Sequence, residues 1–322
     1  MTFPLASVLP SSSRLVLGCM GLGGGWDDQP VSEDQLTQAQ AALEAAREIG
    51  ITLFDHADIY TRGKAERCFG ELFRRQPSLR DGLLLQTKCG IRFEDAAGPA
   101  RYDLSRDYIL AATEASLQRL GTEQIDILLL HRPDPLMAPA EIAEAFSRLR
   151  SSGKVLHFGV SNMHAGQMRL LQQALDAPLV ANQLEMSLTR HDWLDQQTCF
   201  NDDQHLTKRV WGDTLQHCQL QGVQVQAWGA LCKGQLSGGL KPEAAPALRA
   251  TAALVAELAE QYRVPAESIV LTWLLKHPAG IQPVIGTSQP QRILACGRAE
   301  QVQLSREDWY RLYLSARGAR LP

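Results

Sequence analysis

A parallel (β/α)8 barrel, built as a single domain over residues 1–322, is the fold class this chain predicts, and three observations predict it. Eight short apolar runs alternate with segments of helical periodicity, and no break in composition marks a linker between them. Polar residues able to do chemistry stand at the C-terminal ends of at least six of those runs. In a barrel all such ends face one mouth, whereas a doubly wound open sheet, the competing architecture, would spread them along an edge.

Taken in order, residues 1–13 are rich in Ser and Pro and read as a loose lead-in, followed by a first apolar strand at 14–20. A glycine cluster comes next, Gly21-Leu22-Gly23-Gly24-Gly25-Trp26. Trp26 stands where a dinucleotide fingerprint needs its third glycine and Pro30 precedes the helix, so the cluster reads as a loop whose backbone passes close to a ligand. Trp26 is then a wall of the substrate pocket. Ser32 with Gln35 three residues on is a capping signature, and Ala39, Ala42, Leu43 and Ala46 recur at helical spacing until Gly50 stops the run. Strand 51–54 delivers Asp55, with Tyr60 one short loop beyond; strand 83–87 delivers Lys88; strand 125–130 delivers His131. The helices between them lie near 65–73 and 105–120.

A helix near 139–151 leads to strand 155–160, which delivers Ser161 and Asn162, and a helix near 165–175 leads to strand 179–182, which delivers Gln183. Residues 186–204 show neither periodicity and read as a long surface loop carrying Trp193 and Phe200. A helix over 205–221 precedes strand 223–227, which delivers Trp228 and the segment Gly229-Ala230-Leu231-Cys232-Lys233-Gly234. Two helices, 244–262 and 266–276, then lead to strand 282–285 and Gly286-Thr287-Ser288, and helices near 289–297 and 305–316 close the chain.

Composition narrows the function. The chain is 45% hydrophobic and 21% charged, with a formal net charge of -3 and a pI near 6.3, so it offers no field to draw nucleic acid or an anionic membrane surface. No window approaches the ~20 apolar residues of a membrane span, and the N-terminus lacks a basic leader. Seven scattered cysteines without a Cys-x-x-Cys pair argue for reduced thiols and against a disulfide frame or a metal site, and a cytoplasmic location is expected. Composition does not choose between monomer and oligomer.

Asp55, Tyr60, Lys88 and His131 invite a proton-transfer reading. A free tyrosine titrates at about 10, and a neighbouring ammonium lowers that value. Lys88 is the ammonium, Asp55 the carboxylate that keeps it charged, and His131 a hydrogen-bond donor to a substrate oxygen. The same strand end also admits a lyase in which Lys88 forms a Schiff base. His56 reads equally as a supporting donor or a core histidine, and Arg132 as a partner of Asp134.

The run Asp55-x-Ala57-x-x-Tyr60, then Glu66, Gly70, Lys88, His131, Gly159-Val160-Ser161-Asn162, Gln183 and Gly286-Thr287-Ser288, closely resembles the aldo-keto reductase superfamily, nearly end to end. The runs around His56 to Tyr60 and His131 to Pro135 are most similar to a bacterial branch of predicted oxidoreductases. The resemblance implies an NADPH-dependent reductase of small carbonyl substrates that binds its cofactor extended, without a Rossmann fold. It implies Tyr60 as general acid, Lys88 and Asp55 as its tuning pair and His131 as the carbonyl-orienting donor. Ser161, Asn162 and Gln183 would hold the nicotinamide carboxamide, with Trp228 stacked on the ring. Gly21 would also meet the cofactor, and the segment Gly229, Ala230, Leu231 and Lys233 would follow its pyrophosphate through backbone amides, since the family commonly has Ser-Pro-Leu where this chain has Gly229-Ala230-Leu231. Gly286, Thr287, Ser288 and Arg292 match the 2'-phosphate site, while the Glu and Asn that often contact adenine near Ala295 and Cys296 are missing. A second implied reading is a cofactor-bound redox sensor that serves a protein partner, with the 186–204 loop as its contact surface.

Overall fold

The computed structural model describes residues 3–198 and 212–321. Among them, eight parallel strands close into a barrel in the order β1 (Val16–Gly18), β2 (Leu53–Asp55), β3 (Leu84–Cys89), β6 (Ile125–Leu130), β7 (Val155–Ser161), β8 (Ala181–Glu185), β9 (Gln224–Trp228) and β10 (Gln282–Ile285). Pairing of Val16 with both Leu53 and Val284 closes the ring. Two further short strands, β4 (Ile91–Arg92) and β5 (Arg101–Tyr102), form an antiparallel hairpin above β3. Every residue of β3 and β6 is buried, as expected of parallel strands covered on both faces.

Helices sheathe the outside. In α1 (Glu33–Glu48) the predicted capping box forms, with Ser32 accepting from the Gln35 backbone and Gln35 reaching back, and Ala39, Ala42, Leu43 and Ala46 face the sheet. α2 (Lys64–Arg75), α3 (Arg106–Leu120), α4 (Pro139–Ser151) and α5 (Ala165–Gln172) follow the pattern that the spacing predicts. So do α8 (Pro246–Tyr262), α9 (Ala266–Leu275), α10 (Pro290–Cys296) and α11 (Arg306–Arg317).

The structure corrects the lead-in. Pro4–Ser7 is a turn of 3-10 helix, and Phe3, Leu5 and Leu9 pack beneath Val16, Leu53, Leu84, Ile127, Leu129 and Val284 as the barrel floor. Their apolar side chains outweigh the local Ser/Pro composition because the open lower end of the barrel must be filled. Above the floor, Gly159 is required by close approach: a Cβ there would lie 2.6 Å from Ala181 O and 2.6 Å from Leu129 Cδ2.

The 186–204 loop is also corrected in part. α6 (Asp192–Thr198) lies within it, and Trp193 is only 2% exposed, edge-on to Trp273, with its indole N–H donating to Arg190 O at 3.0 Å. Burial of that ring on a short helix removes it from any contact surface. Phe200 and residues 199–204 lie outside the described residues, as do residues 205–211 of the predicted helix, which is described from Thr214 as α7 (Thr214–Gln221). No helix of the described residues is long and apolar enough to cross a membrane.

Candidate active site

β2 and β3 set the centre of the mouth. Asp55 pairs in register with Gln86, so its side chain and that of Lys88, two residues further along β3, both point inward. Lys88 Nζ donates to both Asp55 oxygens at 2.7 and 2.8 Å, to His56 O at 2.7 Å and to Tyr60 Oη at 3.1 Å. Asp55 and Lys88 are almost wholly buried, and a buried ion pair of this kind holds only while its remaining hydrogen bonds are made. Burial favours the neutral amine, but Asp55 and Tyr60 outweigh it, and the Lys88 pKa is raised.

Tyr60 departs from the expected tuning. Burial pushes its phenol above the ordinary value, and Lys88 only partly offsets that effect, so the ring rests protonated. His131 packs edge-on to it, ring centroids 6.0 Å apart, and burial with the nearby Lys88 and Arg132 charges drives His131 well below the usual histidine range. The imidazole is neutral. Its Nδ1 is buried without a hydrogen-bond partner among the described residues. His56 turns out to be a packing residue whose ring lies on Phe69 and whose pKa falls, by burial, to about 3, while its backbone carbonyl serves Lys88. Asp134 accepts the backbone N–H groups of Leu104 and Leu136, a loop-closing role in place of the predicted pair with Arg132.

The loop that presents Tyr60 is strained. Thr61, Arg62 and Gly63 all have left-handed φ, and Thr61 Oγ1 locks the turn by donating to Leu22 O at 2.9 Å and accepting from Ala65 N at 3.1 Å. Of the six non-glycine residues with positive φ among those described, Thr61, Arg62, Asn162, Cys232 and Lys233 border this mouth. Such backbone costs about 1–3 kcal/mol per residue and persists where the surroundings hold a functional group in place.

Across the mouth the groups are neutral and interlocked. Ser161 Oγ donates to Gln183 O at 2.9 Å. Asn162 Nδ2 donates to Ser161 Oγ at 2.8 Å and to His131 O at 3.2 Å, and its Oδ1 accepts the Trp228 indole N–H at 3.2 Å. Beyond Trp228 the chain turns through exposed Gly229, buried Ala230 and Leu231, and exposed Lys233. Arg292 on α10 lies over Gly234, donating to Ser237 Oγ at 2.7 Å and Glu267 Oε1 at 3.2 Å. Gly286, Thr287 and Ser288 follow β10, where Ser288 Oγ accepts from Gln38 Nε2 at 3.1 Å and stands beside Gly21. Trp26, half exposed, meets Phe93 of the hairpin edge-on at 6.4 Å, and Arg62 lies 5.0 Å over the Phe93 ring.

The match to the model of the Aldo/keto reductase family runs over residues 14–313. The chain belongs to the aldo/keto reductase family. It is 36% identical over 310 residues, 95% of each chain, to a 6-dehydroglucose reductase of Agrobacterium fabrum. It is also 35% identical over 317 residues to the oxidoreductase YdhF of Escherichia coli, covering 97% of this chain and 96% of that one. In fold it is similar to an aldo-keto reductase of Klebsiella pneumoniae solved in complex with NADPH, with a TM-score of 0.69, 24% identity and coverage of 94% and 90%. Like them, this member of the family is an oxidoreductase.

Several site residues escape the strand-end reading. Gln86 and Gln226 contact Asp55 and Gln183 from the layer below the mouth, and Ser237, Glu267 and Gln38 support Arg292 and Ser288. Gln86 and Gln226 were accessible through strand parity, since each lies two residues before a mouth residue and so points the same way.

Proposed function

We propose that this aldo/keto reductase reduces small aldehydes and ketones to alcohols with NADPH, using Tyr60 as the proton donor. Lys88 Nζ, held between the Asp55 carboxylate and the Tyr60 hydroxyl beside a cluster of carboxamide-binding groups, carries the reading. The donor set fits the cofactor. Ser161, Asn162 and Gln183 offer neutral amide and hydroxyl groups for a carboxamide, and Trp228 a flat ring beside them. Arg292 with Ser288 supplies a guanidinium and a hydroxyl for a 2'-phosphate.

When bound, the nicotinamide supplies the hydride that reaches the carbonyl carbon. The protein supplies the rest. As negative charge grows on the carbonyl oxygen, the protonated Tyr60 gives up its hydrogen, and the phenolate left behind is stabilised by the Lys88 ammonium 3.1 Å away. An unpartnered lone pair costs less than an unpartnered N–H, so buried Nδ1 of neutral His131 carries the lone pair and Nε2 carries the hydrogen, ready to donate to the same oxygen.

Lys88 as a Schiff-base nucleophile fits poorly, because such an amine needs a lowered pKa and this one is raised. The redox-sensor reading loses Trp193, which is buried. The test is loss of reduced-nicotinamide absorbance with NADPH and a panel of aldehydes and diketones that includes 6-dehydroglucose, the substrate named for a relative. Turnover with NADPH, retained cofactor binding and lost turnover in Tyr60→Phe, and weaker NADPH but unchanged NADH binding in Arg292→Ala are expected. Wild-type turnover in Tyr60→Phe would remove Tyr60 from the mechanism.

A further inference from the structure

We infer that Gln226 is a positioning residue that ties Gln183, the expected carboxamide holder, to the Asp55–Lys88 pair through Gln86; the inference rests on the reductase reading above. The middle layer of a barrel is ordinarily filled by branched apolar side chains. Here it holds Gln86, Gln226 and Gln282, each 0% exposed, and Gln226 is hydrogen-bonded to Gln183, itself 2% exposed.

The hydrogen-bond accounting closes around Gln226. Its Oε1 accepts from Gln86 Nε2 at 2.9 Å and Gln183 Nε2 at 3.1 Å, and its Nε2 donates to Gln86 Oε1 and to Gln282 Oε1, both at 3.0 Å. A primary amide has two N–H groups and two lone pairs, so all four positions are used. Gln282 ends the chain by donating to Ser13 O at 2.6 Å.

Direction follows from the carboxylate. Asp55 Oδ1 accepts from Gln86 Nε2 at 2.5 Å, and an ionised carboxylate only accepts, so Gln86 cannot flip. The reciprocal pair between Gln86 and Gln226 then sets Gln226, and the remaining Gln226 lone pair requires the nitrogen of Gln183, turning the Gln183 oxygen away from the network. The charge at Asp55 thereby orients the amide across the mouth. Loss of one member leaves buried partners without hydrogen bonds and releases both ends together.

Gln226→Leu is compared with Gln224→Leu, which lies two residues earlier on the same strand, equally buried, but bonds to Gly280 O, Val225 O and the Leu5 N–H, away from Asp55. Three readouts are taken: thermal midpoint, steady-state kinetics with the deuterium isotope effect on hydride transfer, and ultraviolet titration of Tyr60 in cofactor-free enzyme against a Tyr60→Phe blank. Both variants should lose thermal stability. Only Gln226→Leu should lower kcat, by about 10- to 100-fold with KM for the carbonyl little changed, enlarge the isotope effect and move the Tyr60 titration. Equal effects in the two variants, or an unmoved titration and kcat in Gln226→Leu, overturn the inference.

If Gln226→Leu does not fold, wild-type enzyme labelled with 15N-glutamine is titrated with NADP+. Side-chain resonances of Gln183, Gln226 and Gln86 should move together while that of Gln224 stays, and movement of Gln183 alone overturns the coupling. Wild-type enzyme that binds no NADP+ and turns over no carbonyl counts against the reductase reading, whereas the cofactor-free Tyr60 titration still judges the network.

Discussion

The two sides of the barrel mouth are built on opposite physics. On β2, β3 and β6 the side chains are ionisable and buried, and Lys88 is saturated by Asp55, Tyr60 and a backbone carbonyl. On β7, β8 and β9 they are neutral, and Ser161, Asn162, Gln183, Trp228 and Gln226 hold one another by hydrogen bonds alone. On the proposed mechanism, charge belongs where a proton must leave and a phenolate must be tolerated. On the same proposal, fixed neutral dipoles belong where a flat amide-bearing ring has to be oriented without its electron balance being disturbed.

The sharpest way to break the contrast is Lys88→Met. It leaves Asp55 buried without its cation and Tyr60 without stabilisation of its anion, so turnover should fall roughly 10²- to 10⁴-fold. Stability should fall by about 3–5 kcal/mol by denaturant titration, and the double variant Asp55→Asn with Lys88→Met should recover part of it. Gln183→Leu attacks the neutral side. It should weaken NADPH binding by about 1–3 kcal/mol in a fluorescence titration, with a smaller shift of the Tyr60 titration than Gln226→Leu produces, because Gln183 is the end of the amide network farthest from Asp55. Trp228→Phe keeps the aromatic face and removes only the N–H to Asn162, so a loss of about 1 kcal/mol in cofactor affinity is expected.

The smallest effect on turnover concerns pH. His56 is held neutral, its pKa lowered from 6.5 to about 3 by burial. The unfolded chain therefore takes up this proton first, and the stability tied to His56 is complete above about 6.5 and lost as pH falls toward about 3. His56→Leu should flatten the acid limb of a thermal-midpoint profile and leave kcat at neutral pH little changed, since the ring packs on Phe69 and the bond to Lys88 comes from the backbone carbonyl, which leucine keeps.

Strand ends were legible in the sequence because apolar runs stop where polar residues begin, and Asp55, Lys88, His131 and Ser161 stand at or next to the ends of their strands, whereas β8 runs on to Glu185 and places Gln183 inside the strand, because polar residues there are paired within the barrel. The periodicity placed α1 and its cap almost residue for residue. What it missed follows from burial patterns that composition hides. Phe3, Leu5 and Leu9 are too sparse among Ser and Pro to read as core, yet they close the floor. Gln86 and Gln226 look like interruptions of apolar strands, because a buried amide is acceptable only when partners from other strands complete it, and those partners are 140 residues apart. The direction of the Tyr60 shift was likewise hidden, since it depends on how much water the fold removes from the ring.

The filled interior also governs traffic. Phe3, Leu5 and Leu9 stopper the barrel from beneath and the glutamine layer lies above them, and primary amides neither release nor capture protons near neutrality. On the proposed mechanism, resupply of the hydrogen that Tyr60 gives up therefore shares the doorway through which product departs.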